Sequence, residues 1–544
     1  MKCLKSLAAA GMMWAVVMGL GGPAAADDWP QFQHDNNSTG TSAQMAPLHN
    51  LSQKWAASLY GDYGLKFQGG TPPVVSGGTV YSYALTDAVW DYETWTLVTP
   101  PQAYMVALSA TSGAVKWVSA RLQDEGGYGS HNGASVDPAT GDVYAASWNS
   151  LYRISGADGS IVWQHTTPGD YGANAVVNGA PALGNNKAYW MTQGGGGHLV
   201  GVNMNAGIGG AVVSASVNVA MPTDVNGSSF GTPVAFKIGG TNYVGMNYGR
   251  AYGSPMGGGV MVVDADSGAV LWSKWQAELP SGATADEKAA YCFTGSMSYR
   301  DGVLYARSYD DQMGHTNNGT LWALDAATGG VVWQTVDQDA DPEVFDNVVN
   351  GHGAPIASGG VVVVGGGTAY YGGAGQKVQA FSAASGERLW EVAGIGGWGN
   401  QIALAGQWVY AGSEDLNLLS VLDAQTGRVV TQYSGAGSSP AIAGGLVYTV
   451  DADGRMVAIG GSLPGDADNN GTVDAGDYAL WFNHYGTCGA WEDGDVNSDG
   501  TIDASDYAIW FNAYGSGGSG LPAPEPATLT LCLLGAAALL RRRK

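Results

Sequence analysis

Residues Leu321 to Trp333 read LWALDAATGGVVW, and much of the chain is variation on that phrase. An apolar strand runs into a polar turn, Asp325–Gly329, and a second apolar strand ends on tryptophan. Asp and Thr side chains suit such a turn because they hydrogen-bond the backbone locally, and Gly329 supplies the positive φ that closes it. The phrase returns as MVALSATSGAVKW (Met105–Trp117), LYRISGADGSIVW (Leu151–Trp163), VMVVDADSGAVLW (Val260–Trp272) and VQAFSAASGERLW (Val378–Trp390). A fixed Gly-x-x-x-Trp spacing recurring at roughly forty to sixty residues means a repeat architecture.

A second signal runs with the first. Small turn residues lead into short apolar strands at Gly70–Val75, Asn132–Val136, Asn178–Leu183, Phe230–Val234, Thr294–Met297, Gly351–Ile356, Asn400–Leu404 and Ser438–Ile442. Each is followed by a strand centred on Tyr81, Tyr144, Tyr189, Tyr243, Tyr305, the run Val361–Val364, Tyr410 or Tyr448, so both series count eight. The Trp phrase gives five clear copies and two decayed ones, near Val200–Val213 and at Val421–Thr431, where threonine replaces tryptophan. Leu51–Trp55 (LSQKW) is a final strand without a blade, and Ala441–Gly460 is a blade without a final strand. The spacing therefore predicts a mainly β chain: an eight-bladed β-propeller whose N-terminal strand closes the last blade, leaving no long exposed edge. The start of the body, Asp27–Asp35, reads as a strap over the first blades.

These phrases, the early Trp29-Pro30-Gln31-Phe32 and the closure resemble the PQQ-like, quinoprotein-type propellers over residues 27–462. The resemblance implies that Trp117, Trp163, Trp272, Trp333 and Trp390, with Trp55, staple neighbouring blades. Quinoprotein alcohol dehydrogenases hold PQQ in the central funnel under a disulfide of adjacent cysteines, with Ca²⁺ on Glu, Asn and Asp. This propeller has one cysteine, Cys292, and no acid at the starts of its inner strands, which argues against PQQ. Asn132, Asn178, His352 and Asn400, with His131 nearby, are the polar funnel positions, and side chains there more often satisfy backbone groups. No cofactor-binding and no catalytic residue is assigned.

Composition bears on partners and destination. The formal charge of −24 disfavours nucleic acid. Residues 1–26 combine Lys2 and Lys5, an apolar stretch and Ala24-Ala25-Ala26, the pattern of a secretory signal peptide. At the other end Pro524-Glu525-Pro526, the apolar run Ala527–Leu540 and Arg541–Lys544 resemble the bacterial PEP-CTERM sorting signal over 524–544, read in its family by an exosortase. The apolar run is fourteen residues, short of the roughly twenty that span a bilayer. With both ends set aside, Cys292 and Cys488 remain, and a disulfide between them is open without being demanded by spacing.

Beyond Ser462 the composition changes. Residues 465–520 hold ten acids and no Lys or Arg, and DADNNGTVDAGD (Asp466–Asp477) returns as DVNSDGTIDASD (Asp495–Asp506). Oxygen ligands fall at loop positions 1, 3, 5, 7, 9 and 12, with glycine at 6, the EF-hand calcium pattern. They are Asp466, Asp468, Asn470, Thr472, Asp474 and Asp477, then Asp495, Asn497, Asp499, Thr501, Asp503 and Asp506. Carboxylates so crowded repel, so the segment is expected to fold with two bound Ca²⁺. Position 12 is Asp rather than Glu, and matching helices follow, YALWFNHYG and YAIWFNAYG. This arrangement resembles the type I dockerin domain over 463–515, a small α-helical module, with 516–523 a linker. The resemblance implies a cohesin-like partner, met largely through loop positions 10 and 11. These are Ala475-Gly476 and Ala504-Ser505 in place of the common Ser-Thr pair, which puts a cellulosomal partner in doubt. Tyr478, Trp481, Tyr507 and Trp510 serve either a partner face or the joint between the two halves.

Three further features carry less. The insertion Asp87–Tyr104, with Trp90, Tyr92 and Trp95, is either a contact loop or a self-packed lid; Asp337–Asp346 lacks ligand spacing; His198 and His315 have no nucleophile pattern around them. The reading is a secreted or cell-surface interaction protein with a non-catalytic propeller. Its alternatives are a PQQ-dependent alcohol or sugar dehydrogenase and a carbohydrate-binding component of a polysaccharide-degrading system.

Overall fold

Paired left-handed residues turn the first hairpin of six blades. Gly77-Gly78, Asn185-Asn186, Gly239-Gly240, Asp301-Gly302, Gly359-Gly360 and Gly444-Gly445 all have positive φ, as the type I′ turn matching the twist of a two-residue hairpin requires. The computed structural model describes residues 28–516 except 32, 36, 43–45, 71, 92, 94–95, 123–132, 148–149, 167–178, 193–197, 206–210, 213–214, 221–230, 249–257, 276–292, 294, 309–319, 337–352, 367–375 and 398–399. Two compact units emerge: residues 28–44 and 52–459 make one, and residues 45–51 and 460 onward belong to the other.

The larger unit is an eight-bladed β-propeller. Blade 2, for example, runs Ala134–Val136, Val143–Ser147, Ser150–Ile154 and Ile161–Thr166, each strand antiparallel to the next. Blade 8 is Ala441–Ala443, Leu446–Val450 and Met456–Ser462, completed by the N-terminal strand His49–Ala57. The innermost strands neighbour one another around the ring. Blades 1 to 6 each bury aliphatic and aromatic side chains with those of the next, as with Trp117 and Val143 or Ile356 and Leu404.

The innermost strands begin two to five residues later than the sequence pattern suggests, at Val74, Ala134, Ala182, Val234, Ser298, Ile356, Ile402 and Ala441. The small residues ahead of them bond sideways instead. The amide of Ala180 donates to Thr232 Oγ1 at 2.9 Å, that of Thr232 to Ser296 Oγ at 3.1 Å, and that of Gln401 to Ser439 Oγ at 2.9 Å. A hydroxyl belt thus links one blade to the next where a ladder was expected. Blade 3 also departs from expectation: the end of its decayed phrase, Ala211–Val212, joins blade 2, and its outer strand is Val217–Ala220.

The strap reaches further than the first blades. Trp29 exchanges 2.8 Å backbone bonds with Val75 in blade 1, and Pro30 accepts from Val136 in blade 2. Asn37 accepts from Tyr299 in blade 5, and Thr41–Ser42 pairs in parallel with Leu404–Ala405 in blade 7. It therefore runs along the ends of the innermost strands on one side of the ring. Trp29 and Gln33 are completely buried.

The tryptophan phrase is a joint between blades. Trp55, Trp117, Trp272, Trp333 and Trp390 each donate Nε1–H to a backbone carbonyl in the next blade's turn (Ala110, Gly156, Ala326, Ala383 and Ala424), all at 2.9 Å. Trp163 reaches Met204 at 3.5 Å, where the phrase has decayed. The insertion in blade 1 is a hairpin of Val89–Asp91 and Thr96–Thr99; Tyr92 and Trp95 lie outside the described residues, as do residues 337–346. Cys488 is disulfide-bonded. Cys292 and both chain ends, with the proposed signal and sorting segments, also lie outside the described residues.

Candidate metal centre

The two acidic loops of the second unit fold alike, bond for bond. At position 1, the Asp466 carboxylate accepts from the amides of Asn470 and Gly471, both at 3.0 Å, and Asp495 accepts from Asp499 at 3.0 Å and Gly500 at 2.8 Å. At position 12, Asp477 accepts from Asp468 at 3.1 Å and Asp474 at 2.7 Å, and Asp506 accepts from Asn497 at 3.2 Å and Asp503 at 2.8 Å. Gly471 and Gly500, at position 6, have φ of 86°. A side chain there would strain the bend.

Aspartate at position 12 has a second task. Asp474 and Asp503 cap the helices Ala475–His484 and Ala504–Ala513, and Asp477 and Asp506 complete the capping boxes as third helical residues. Carboxylates in a first helical turn also meet the positive end of the helix dipole.

All four carboxylates at positions 1 and 12 are buried. One oxygen each from Asp466, Asp468 and Asp477 lie within 4.8 Å of one another. Burial, with neighbouring carboxylates adding to it, pushes Asp466 and Asp506 up to about 6 and raises Asp477. These groups resist carrying charge side by side unless a cation joins them. Hard oxygen donors, a glycine bend and several carboxylates make a donor set that fits Ca²⁺. Of the remaining predicted positions, Asn470, Asp474, Asp499 and Thr501 are exposed, Thr472 and Asp503 are half-buried, and Asn497 is held by Asp499 and Ser505.

The aromatic residues after the loops join the two halves. Trp481 Nε1 donates to the Asp503 carbonyl and Trp510 Nε1 to the Asp474 carbonyl, both at 2.7 Å. Each helix thus reaches into the other's loop at position 9. The Tyr478 ring lies 4.9 Å from Trp510, and Tyr507 lies 5.0 Å from Trp481. The apolar residue at position 8 crosses in the same way: Val473 bonds Gly515 and Ser516 after the second helix, and Ile502 bonds Gly486 and Thr487 after the first. Ala475, Gly476, Ala504 and Ser505 stay exposed. Sequence reasoning passed over Trp491, which is buried, donates to the Asp466 carbonyl at 2.7 Å and stacks on His49 at 4.6 Å. It stands outside both repeats, so no spacing marks it.

In the propeller the outcome for the funnel residues is partial. Asn400 is buried, and its amide donates to the carbonyls of Gly412 at 3.1 Å and Gly437 at 3.4 Å, a structural use. His131, Asn132, Asn178, His315 and His352 lie outside the described residues. His198 Nδ1 pairs with Asn218 Oδ1 at 2.6 Å.

The ring of eight blades, six of them joined to the next by a tryptophan, defines the class: an eight-bladed β-propeller. The chain belongs to the family described as outer membrane protein assembly factor BamB, whose model matches residues 50–234, 209–373 and 374–467. No curated protein matches the chain. Among solved structures, the quinohemoprotein alcohol dehydrogenase ADHIIG from Pseudomonas putida HK5 is 14% identical with a TM-score of 0.54, covering 80% of each chain. The quinohemoprotein alcohol dehydrogenase from Comamonas testosteroni is 15% identical with a TM-score of 0.53, again covering 80% of each. BamB from Moraxella catarrhalis is 16% identical over 75% of this chain and 99% of its own, with a TM-score of 0.43. At these identities the likeness is one of fold.

Proposed function

We propose that the chain is an exported, envelope-associated interaction protein. Its propeller is a non-catalytic binding surface, and residues 463–515 are a dockerin-like module that folds around two Ca²⁺ and docks to a cohesin-like partner. The ends act as a signal peptide and a PEP-CTERM sorting signal. The observation that carries the reading is the duplicated loop, in which buried carboxylates at positions 1 and 12 make matching backbone bonds in both copies. Membership of a family described as an assembly factor supports the propeller's part. The polar residues that would face a bound Ca²⁺ are those at positions 1, 3, 5, 9 and 12, with the backbone carbonyl of Thr472 or Thr501 at position 7. Calorimetric titration of the full chain should give two Ca²⁺ per molecule, one in Asp466→Asn or Asp495→Asn, and none in the double variant. A stoichiometry of zero in the unaltered chain would remove the module's proposed role. Sustained dye reduction after reconstitution with PQQ and Ca²⁺ would instead favour a dehydrogenase, whose fold the propeller shares.

A further inference from the structure

Every blade ends on an edge strand whose outward backbone groups can template another strand, and folded proteins protect such edges with charge or brevity. Here Lys116 guards blade 1, Lys274 blade 4, Arg388 and Glu391 blade 6, and Lys54 the closing strand. The blade 3 edge is four residues long, and Arg428 immediately precedes that of blade 7. Two edges of nearly the same sequence lack these devices: IVWQHT (Ile161–Thr166) in blade 2 and VVWQTV (Val331–Val336) in blade 5.

The first of them is covered. Ala211–Val212 lies on it as a fifth, parallel strand, Ala211 opposite Trp163 and Val212 opposite Gln164. The second pairs, among the described residues, only with Thr320–Asp325 of its own blade. Val331 and Val332 are 43% and 53% exposed, whereas their blade 2 counterparts Ile161 and Val162 are half-buried. Trp333 and Thr335 pack on the next blade's turn at Ala383 and Gly386, and Val332 is the extra residue of a bulge opposite Ala323 and Leu324, so the exposed apolar part of this edge is its start, at Val331 and Val332.

Resting on the reading of the propeller as a binding surface, we propose that Val331–Val336 is a peptide-docking edge. It takes a short, extended, uncharged aliphatic segment of a partner protein as a fifth, parallel strand. The chain's own pairing on blade 2 sets the expected register, with a small residue opposite Trp333 and a β-branched one opposite Gln334. Backbone hydrogen bonds supply the attachment, and Val331 and Val332 select against charge in the incoming segment.

The probe is a fluorescent peptide of sequence IGGAVVSA, that of residues 208–215, titrated by anisotropy against the full chain in EDTA and again in Ca²⁺. Saturable binding is expected in both. It should weaken at least tenfold in Val332→Lys and when Asp replaces the first valine of the peptide, and stay unchanged in Leu389→Lys on the charged edge of blade 6. Val332→Thr, which keeps β propensity, should weaken binding several-fold and guards against misfolding of the lysine variant. Absence of binding, or equal binding by Val332→Lys with its near-UV spectrum intact, overturns the proposal. Self-association of the unaltered chain that Val332→Lys abolishes would overturn it too, by making a second copy the occupant. None of these results bears on ion stoichiometry, so the calcium reading stands or falls separately.

Discussion

Gly329 does two things that no other residue can do at once. Its φ of 71° closes the turn after Asp325, whose carboxylate accepts from the Thr328 amide at 2.8 Å and hydroxyl at 2.7 Å. It also lies against the staple of the preceding blade: a Cβ there would come within 2.6 Å of Trp272 Cε3. Gly302 has a similar φ of 87° but open space around its Cβ position. Gly329→Ala should therefore cost about 2–4 kcal/mol, combining left-handed strain with overpacking, and Gly302→Ala only about 1 kcal/mol. Chemical denaturation of the two variants separates the terms. Equal losses would mean that the glycine–tryptophan contact contributes nothing and the turn alone explains the phrase.

At the scale of the strand and the loop, the staple is what made the repeat legible. Trp390 is nearly buried, packs on Gly427 and donates to the Ala424 carbonyl at 2.9 Å. Trp390→Ala should destabilise the propeller by about 3–5 kcal/mol. Trp390→Phe keeps a ring face and loses the N–H bond, for about 1–2 kcal/mol. If thermal unfolding shows the two variants alike, the hydrogen bond rather than the ring is the joint. Phrase, turn and blade count were readable because each is local: a Tyr-centred strand such as Trp408–Ser413 is one short run buried along its whole length, and closure follows from matching a spare strand to an incomplete blade. The late start of the innermost strands was not readable, since Thr232 and Ser296 bond the neighbouring blade rather than their own. The same distinction holds in the acidic loops. Twelve contiguous positions announce oxygen ligands, but the crossing of Trp481 and Trp510 into opposite loops depends on tertiary pairing that spacing cannot encode.

Over the whole molecule, a formal charge of −24 is distributed unevenly, with ten acids and no Lys or Arg in residues 465–520. The propeller is held by apolar blade contacts and tryptophan staples. The second unit instead encloses carboxyls that burial pushes up to about 6 at Asp466 and Asp506. An aspartate whose folded pKa lies above its unfolded value near 4 leaves the native state binding more protons between those values. The metal-free module is accordingly most stable below about pH 4 as far as these groups are concerned, and loses that stability as pH rises through about 6. Bound Ca²⁺ reverses the penalty, adding about 4 kcal/mol when its concentration is a thousand times Kd. Calorimetry of the full chain at pH 7.5 should then show two transitions, with EDTA lowering one and leaving the propeller's in place. At pH 5 the shift caused by EDTA should shrink, because protons compete for the same oxygens. A single transition that ignores EDTA at both pH values would mean that the acidic loops carry no ion and that their repulsion is relieved by protons alone.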